Sequence, residues 1–228
     1  HTRQHVDLDM YRYNDPVKYF EDLGRVFNPT MKEIFNSVYH EKIGRVVILA
    51  SRGSGKTNLA AMIGTALFSW KGYDVYIVGG SLSQSMQAYE YCSKYLMSSS
   101  MRMRLRKEMT LRTSAESIDG NKLLCFPAST KSIRSYHPDS ISSQNSKRGA
   151  LLIIDEECEI DDDEIIISAL GIIINAMPSA IIRLSTAHKT YGSFIDLISS
   201  PSTYGYKLYS WDCFDVMEKI PEYKYEYF

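Results

Sequence analysis

The segment Arg45–Thr57 constrains this chain more than any other. Arg45-Val46-Val47-Ile48-Leu49-Ala50 is a run of apolar, β-branched residues, which predicts a buried strand. Ser51-Arg52-Gly53-Ser54-Gly55-Lys56-Thr57-Asn58 follows, and then Leu59, Met62, Ile63, Ala66, Leu67 and Trp70 repeat at helical spacing. Strand, small-residue loop and helix in that order make a phosphate-binding loop. Small residues let backbone N–H groups curl round a phosphate, and the helix N-terminus adds its dipole. Lys56 is placed to reach the β- and γ-phosphates of ATP, and Thr57 to offer its hydroxyl to Mg²⁺. Ala50 stands where such loops usually open with glycine, so the match is to a variant.

Further short apolar runs surround this one, at residues 74–80, 123–128, 151–156, 181–187 and 207–212. Each is bounded by Gly, Pro, Ser or charge, as buried parallel strands are. Helical patterns lie between them, at 84–97 and at 161–176, the second opening on Asp161-Asp162-Asp163-Glu164, whose carboxylates suit a helix N-terminus. Upstream, Phe20, Leu23 and Phe27, then Met31, Ile34 and Phe35, are spaced for two short helices. The alternation predicts an α/β fold with a mostly parallel sheet flanked by helices. The expected organisation is a helical lead-in over 1–40, a phosphate-loop domain over 41–220 and the start of a linker over 221–228. The chain opens at His1 without Met, and it reads as a fragment.

Leu151-Leu152-Ile153-Ile154-Asp155-Glu156 buries a strand and delivers two acids at its C-terminal end. Asp155 is the expected Mg²⁺ partner, mostly through water, and Glu156 the base that polarises an attacking water. Glu157 reads as a solvated acid or a member of a local salt bridge. Ile181–His188 ends in Ser185 and Thr186; a strand placed between the other two would bring both hydroxyls to the γ-phosphate. His188 reads as a surface residue.

An Arg-bearing phosphate loop, an Asp-Glu strand end and a Ser-Thr-Ala strand end, in that order, resemble the ATPase domain of viral large terminases, the motors that package double-stranded DNA into tailed-bacteriophage capsids. The resemblance covers about residues 45 to 190. It implies a RecA-like fold of the additional-strand class, ATP hydrolysis with Mg²⁺, and the coupling strand between the loop strand and the acid strand. It also implies double-stranded DNA, a portal protein and a small terminase subunit as partners, a homo-oligomeric ring, expected as a pentamer, and a place at the procapsid portal vertex in the host cytoplasm. Arg52 then serves in cis, and an arginine finger in trans comes from Arg148 or Arg134. The family often carries a glutamine near the adenine; Asn28–Ile34, at the corresponding place, has none. The family's nuclease domain has no counterpart here, and its removal is the expected reason. A superfamily 2 helicase is the alternative, since Asp155-Glu156-Glu157-Cys158 and Ser185-Thr186-Ala187 resemble its acidic box and coupling motif. A nucleotide-dependent scaffold is a third, against which Glu156 argues.

The rest of the sequence bounds the answer. With 26 basic and 27 acidic residues the net charge is −1, so any nucleic-acid surface is local. Arg102, Arg104, Arg106 and Lys107 form the densest basic run, read as a solvated face over Met101, Met103 and Leu105. Residues 129–149 hold seven serines, with Lys131, Arg134, Lys147 and Arg148 in or beside them, and read as a long functional loop. Cys92, Cys125, Cys158 and Cys213 show no metal-ligand spacing and read as buried thiols. No apolar run approaches the ~18 residues of a membrane span. The tyrosines at 204, 206, 209, 223, 225 and 227 read as packing at the C-terminal edge.

Overall fold

The computed structural model describes residues 15–98, 101–106, 113–127, 133 and 148–217. One seven-stranded sheet organises them. Its strands are β1 (Arg45–Ala50), β2 (Asp74–Gly79), β3 (Ser114–Glu116), β4 (Lys122–Pro127), β5 (Ala150–Asp155), β6 (Ser179–Ser185) and β7 (Lys207–Trp211). In space they run β3-β4-β2-β5-β6-β1-β7. All neighbours are parallel except β3, which is antiparallel to β4. β6, late in the chain, lies between β1 and β5, the arrangement the resemblance implies. β3 is the strand the sequence did not predict. It is three residues of Ser-Ala-Glu at the edge of the sheet, with no apolar run to reveal it.

Side chains alternate between the two faces of the strands. Val46, Ile48, Val75, Ile77, Leu151, Ile153, Ile182 and Leu184 face one core. It is closed by α1 (Pro16–Asp22), α2 (Pro29–Tyr39), α3 (Lys56–Lys71) and α4 (Leu82–Leu96) through residues such as Phe20, Ile34, Ile63 and Tyr89. Val47, Val78, Leu152, Ile154 and Ile181 face a second core, closed by α5 (Asp163–Ile172) and α6 (Ser193–Ser199). A short α7 (Cys213–Met217) follows β7. The two lead-in helices therefore pack into the same core as the sheet.

The helix after the phosphate loop is buried on nearly every side, not on one stripe as its spacing suggested. The sheet, α2 and α4 all pack on it. Gly64 makes the closest approach possible, since a Cβ there would meet Ile153 Cδ1 and Val75 Cγ1 at 3.3 Å. The helix predicted to reach Ala176 stops at Ile172. Gly171 weakens its last turn, and Pro178 lies too close downstream for the helix to extend far. Asp162 caps it, accepting from the Glu164 amide at 2.9 Å. Of the serine-rich loop, residues 134–147 lie outside the described residues, as do Lys131, Lys107 and the 221–228 segment.

Candidate active site

Strand register brings the three motifs to one edge. Leu49 pairs with Ser185, Ala50 with Trp211, and Asp155 with Leu184. The loop, the acids and the coupling residues thus leave the sheet side by side at the C-terminal ends of their strands, where ligands of open α/β sheets bind.

The loop turns on Gly53 and Gly55, whose φ angles of 76° and 83° lie in the left-handed region that glycine tolerates. Gly55 caps α3, and a Cβ on it would sit 3.1 Å from Met31 Cε, so α2 is seated against the loop. On the other side Trp211 Nε1 donates to the Ser54 carbonyl at 2.9 Å, bracing the loop from the end of β7. The hydroxyls of Ser51 and Ser54 are buried with no hydrogen-bond partner among the described residues. An open cleft of about 540 Å³ adjoins the loop, lined by Ala50, Ser51, Thr186, Trp211 and Asp215 among others.

Lys56 is buried, and its ammonium is shared. It lies 2.9 Å from Glu156 Oε1 and donates to Thr186 Oγ1 at 3.0 Å. Thr186 Oγ1 in turn donates to the Ala50 carbonyl at 3.1 Å. Thr57 Oγ1 donates to Asp155 Oδ1 at 3.2 Å. Asp155 is almost fully buried, and that burial, with the charge of Glu156 beside it, pushes its carboxyl up to about 7. A hydroxyl and a buried carboxylate in contact are the hard-oxygen pair that suits Mg²⁺, and a cation there would favour the ionised carboxylate. The residues present therefore fit the metal.

Glu156 has φ 48° and ψ 48°, one of two non-glycine residues with positive φ among those described. The conformation turns its carboxylate toward Lys56 and Ser185, whose Oγ donates to Glu156 Oε2 at 3.4 Å. Ser185 Oγ also accepts the Cys158 amide at 3.1 Å. Glu157 is not solvated. Its side chain is fully buried in an ion pair with Arg183, whose Nε donates to Oε2 at 2.7 Å. Of the two readings of Glu157, the salt bridge stands and the solvated acid does not. Arg183 went unremarked in the sequence, yet the signal was there: a charge inside Ile181–Leu184, a strand with both faces buried, requires a partner.

Other predicted residues are placed as follows. Arg52 is exposed on the loop. The Asn58 side chain turns to α4, where it accepts from Tyr95 Oη at 2.5 Å. Arg148 is not brought to the site. It precedes the N-terminal end of β5, opposite Asp155, and donates to the Asp119 carbonyl at 2.6 Å. Arg134 lies outside the described residues. Asn28 caps α2 through the Met31 amide at 2.7 Å and leaves Nδ2 buried without a partner among the described residues. His188 is half-exposed and pairs with Glu159 at 3.0 Å. In the basic run, Arg104 donates to the Ser69 carbonyl and Arg106 to Glu116, so the fold itself engages both. All four cysteines are free, three of them buried. Tyr206 and Tyr209 are buried as edge packing, whereas Tyr204 is half-exposed. Among the described residues no helix is long and apolar enough to cross a membrane.

Fold and site together define a RecA-like P-loop ATPase with an additional strand between its loop strand and its acid strand. Residues 47–191, more than half of the chain, match the family described as RNA cytidine acetyltransferase NAT10/TcmA, helicase domain, and the chain belongs to that family. No curated protein matches the sequence. Among solved structures, the large terminase from a thermophilic bacteriophage superimposes with a TM-score of 0.63 at 10% identity, over 88% of this chain and 50% of that one. The chain thus spans about half the length of that terminase, which has also been solved in complex with ADP. The large terminase ATPase domain of Thermus phage P74-26 gives 0.61 at 13% identity, over 92% of both chains. A hypothetical ATP-dependent RNA helicase from Sulfolobus tokodaii gives 0.54 at 15% identity, over 85% of this chain and 56% of that one. At these identities the likeness is one of fold.

Proposed function

We propose that this chain is the ATP-hydrolysing motor domain of a large terminase, driving double-stranded DNA into a procapsid. The observation that carries the hydrolytic part is the contact of three motifs at one point: Lys56 from the loop, Glu156 from the acid strand and Thr186 from the coupling strand. Loop amides and Lys56 hold the phosphates of ATP, with Arg52 beside them on the loop in cis. Thr57 and Asp155 would hold Mg²⁺, which would supply positive charge to offset that of the phosphate oxygens. Glu156 accepts a proton from the water that attacks the γ-phosphorus as the bond to the β–γ bridging oxygen breaks. Ser185 and Thr186 touch Glu156 and Lys56 from the end of β6 and the residue after it, so a change at the γ-phosphate would reach β6 directly.

The packaging role is supported by the Arg-bearing loop and by the overlap with a terminase ATPase domain along nearly the whole of both chains. The partners proposed with it are the portal protein, a small terminase subunit and further copies of this chain in a five-membered ring at the portal vertex, in the host cytoplasm. Ring closure by rotational symmetry suits a motor that passes force between subunits. A trans arginine then comes from Arg148 or Arg134; Arg148, at the opposite end of β5, would act on a neighbour and not on its own site.

A helicase-type motor is the second reading, favoured by the family match over residues 47–191. Nucleic-acid stimulation of phosphate release separates the two. Stimulation by blunt duplex DNA, with displacement of a bound third strand and no duplex separation, supports packaging. Stimulation by single strands, with unwinding of a tailed duplex, supports the helicase and overturns the terminase role.

A further inference from the structure

We propose that Glu157 and Arg183 form a buried clamp that positions Glu156 for catalysis. The inference rests on the reading of this site as a hydrolase, and it assigns a task to two residues that touch no nucleotide.

Three observations converge. A non-glycine residue in the left-handed region costs about 1–2 kcal/mol, and such a conformation persists only where its surroundings over-determine it. Glu156 is that residue. The turn that follows it, Glu157–Glu159, is fixed at every position. Glu157 is forked by Arg183, the Cys158 amide donates to Ser185 Oγ at 3.1 Å, and the Glu159 amide donates to the Glu156 carbonyl at 2.9 Å. Arg183 and Ser185 are two residues apart on β6, so both point to the same face of the sheet, beneath the turn. The Arg183 guanidinium is held from its other side as well, with Cζ 5.5 Å from the centroid of the Tyr206 ring.

Stability alone does not account for such a pair. Both side chains are buried, and Arg183 pairs in register with Ile154 and shares a strand face with Ile181, two residues of the apolar core under α5 and α6. Taking two charges out of water costs as much as their attraction returns, and an apolar pair of similar volume is often as stable or more so. A planar fork does supply direction. It fixes the rotation of the Glu157 side chain, and with it the backbone turn that aims Glu156 at Lys56. Because Ser185 at the end of β6 touches Glu156 and Thr186 just after it touches Lys56, one segment both senses the phosphate end of the site and sets the base.

The test uses Arg183→Lys and the double variant Glu157→Met/Arg183→Leu in the whole chain. Arg183→Lys keeps the charge and loses the fork; the double variant removes both charges together. The expected result is a folded protein that binds ATPγS within about threefold of the wild type and turns ATP over about 10- to 100-fold more slowly, the scale of a misaimed catalytic group. A second readout is hydrogen exchange of the Cys158 amide, expected to quicken in both variants while the β5 amides do not change. A double variant with wild-type melting temperature, wild-type kcat and unchanged Cys158 exchange overturns the clamp, because a merely structural pair would be replaced by the apolar one. Should the double variant fail to fold, Arg183→Lys carries the same decision. Should the wild type itself hydrolyse no ATP, the hydrolase reading falls, and the exchange of Cys158 decides whether the clamp holds the turn.

Discussion

Lys56 Nζ lies 2.9 Å from Glu156 Oε1, so the ammonium proposed for phosphate also pairs with the carboxylate proposed as the base. The pairing also changes what removal of the lysine does. Lys56 is buried, yet Glu156 has access to solvent of its own when its partner is lost. Lys56→Ala is therefore expected to fold. A charge-assisted hydrogen bond to phosphate contributes about 1.5–3 kcal/mol, which is roughly a 10- to 100-fold loss of ATPγS affinity. Equilibrium binding measured beside a thermal melt checks this; unchanged affinity in a folded variant contradicts it.

The carboxyl of Asp155, pushed up to about 7, links pH, metal and stability. Its folded value lies above its unfolded one, so the native protein holds a proton that the unfolded chain has already released. Stability of the metal-free protein is thus highest at the acid end and declines as pH rises from about 4 through about 7. Mg²⁺ held by Asp155 would require the ionised form, so its binding is expected to release a proton below pH 7 and to weaken as pH falls. Asp155→Asn is expected to raise the melting temperature in EDTA at pH 8 and to flatten its dependence between pH 5 and 8. A wild-type protein whose metal-free melting temperature rises over that range contradicts the assignment.

Ser185 and Thr186 divide their work. Ser185→Ala leaves the buried Cys158 amide without an acceptor, a loss of about 1–3 kcal/mol, so the variant melts earlier. Thr186→Ala removes a contact to Lys56 and one to the Ala50 carbonyl, with less effect on stability. Both are expected to keep ATPγS affinity within about threefold, since each is too short to add much to it, and to lose most of the nucleic-acid stimulation of turnover. Parallel loss of binding and stimulation would show that they only hold the strand.

Much of this was legible because parallel strands are buried on both faces and announce themselves as apolar runs. Leu151–Ile154 ending in Asp155 gave the acid strand to within a residue, and the Gly-Lys-Thr loop fixed the edge where the site lies. The place of β6 between β1 and β5 came from the resemblance, since a linear pattern does not give it. Three things were illegible for physical reasons. β3 is too short and polar to carry a period. The partner of Glu157 depends on register, for only when Ile154 pairs with Arg183 does the guanidinium come under the acid turn. The αL backbone of Glu156 is likewise set by contacts distant in sequence.

Phosphate release from ATP by Glu156→Gln, set against the wild type with Mg²⁺ and duplex DNA, tests the central claim most directly. The amide keeps the shape of the side chain and cannot take a proton. Loss of one general base is expected to slow turnover by roughly 10²- to 10⁴-fold, more than either Glu157 or Arg183 substitution, with ATPγS affinity kept within a few-fold. A Glu156→Gln protein that binds ATPγS and releases phosphate at the wild-type rate would contradict the account.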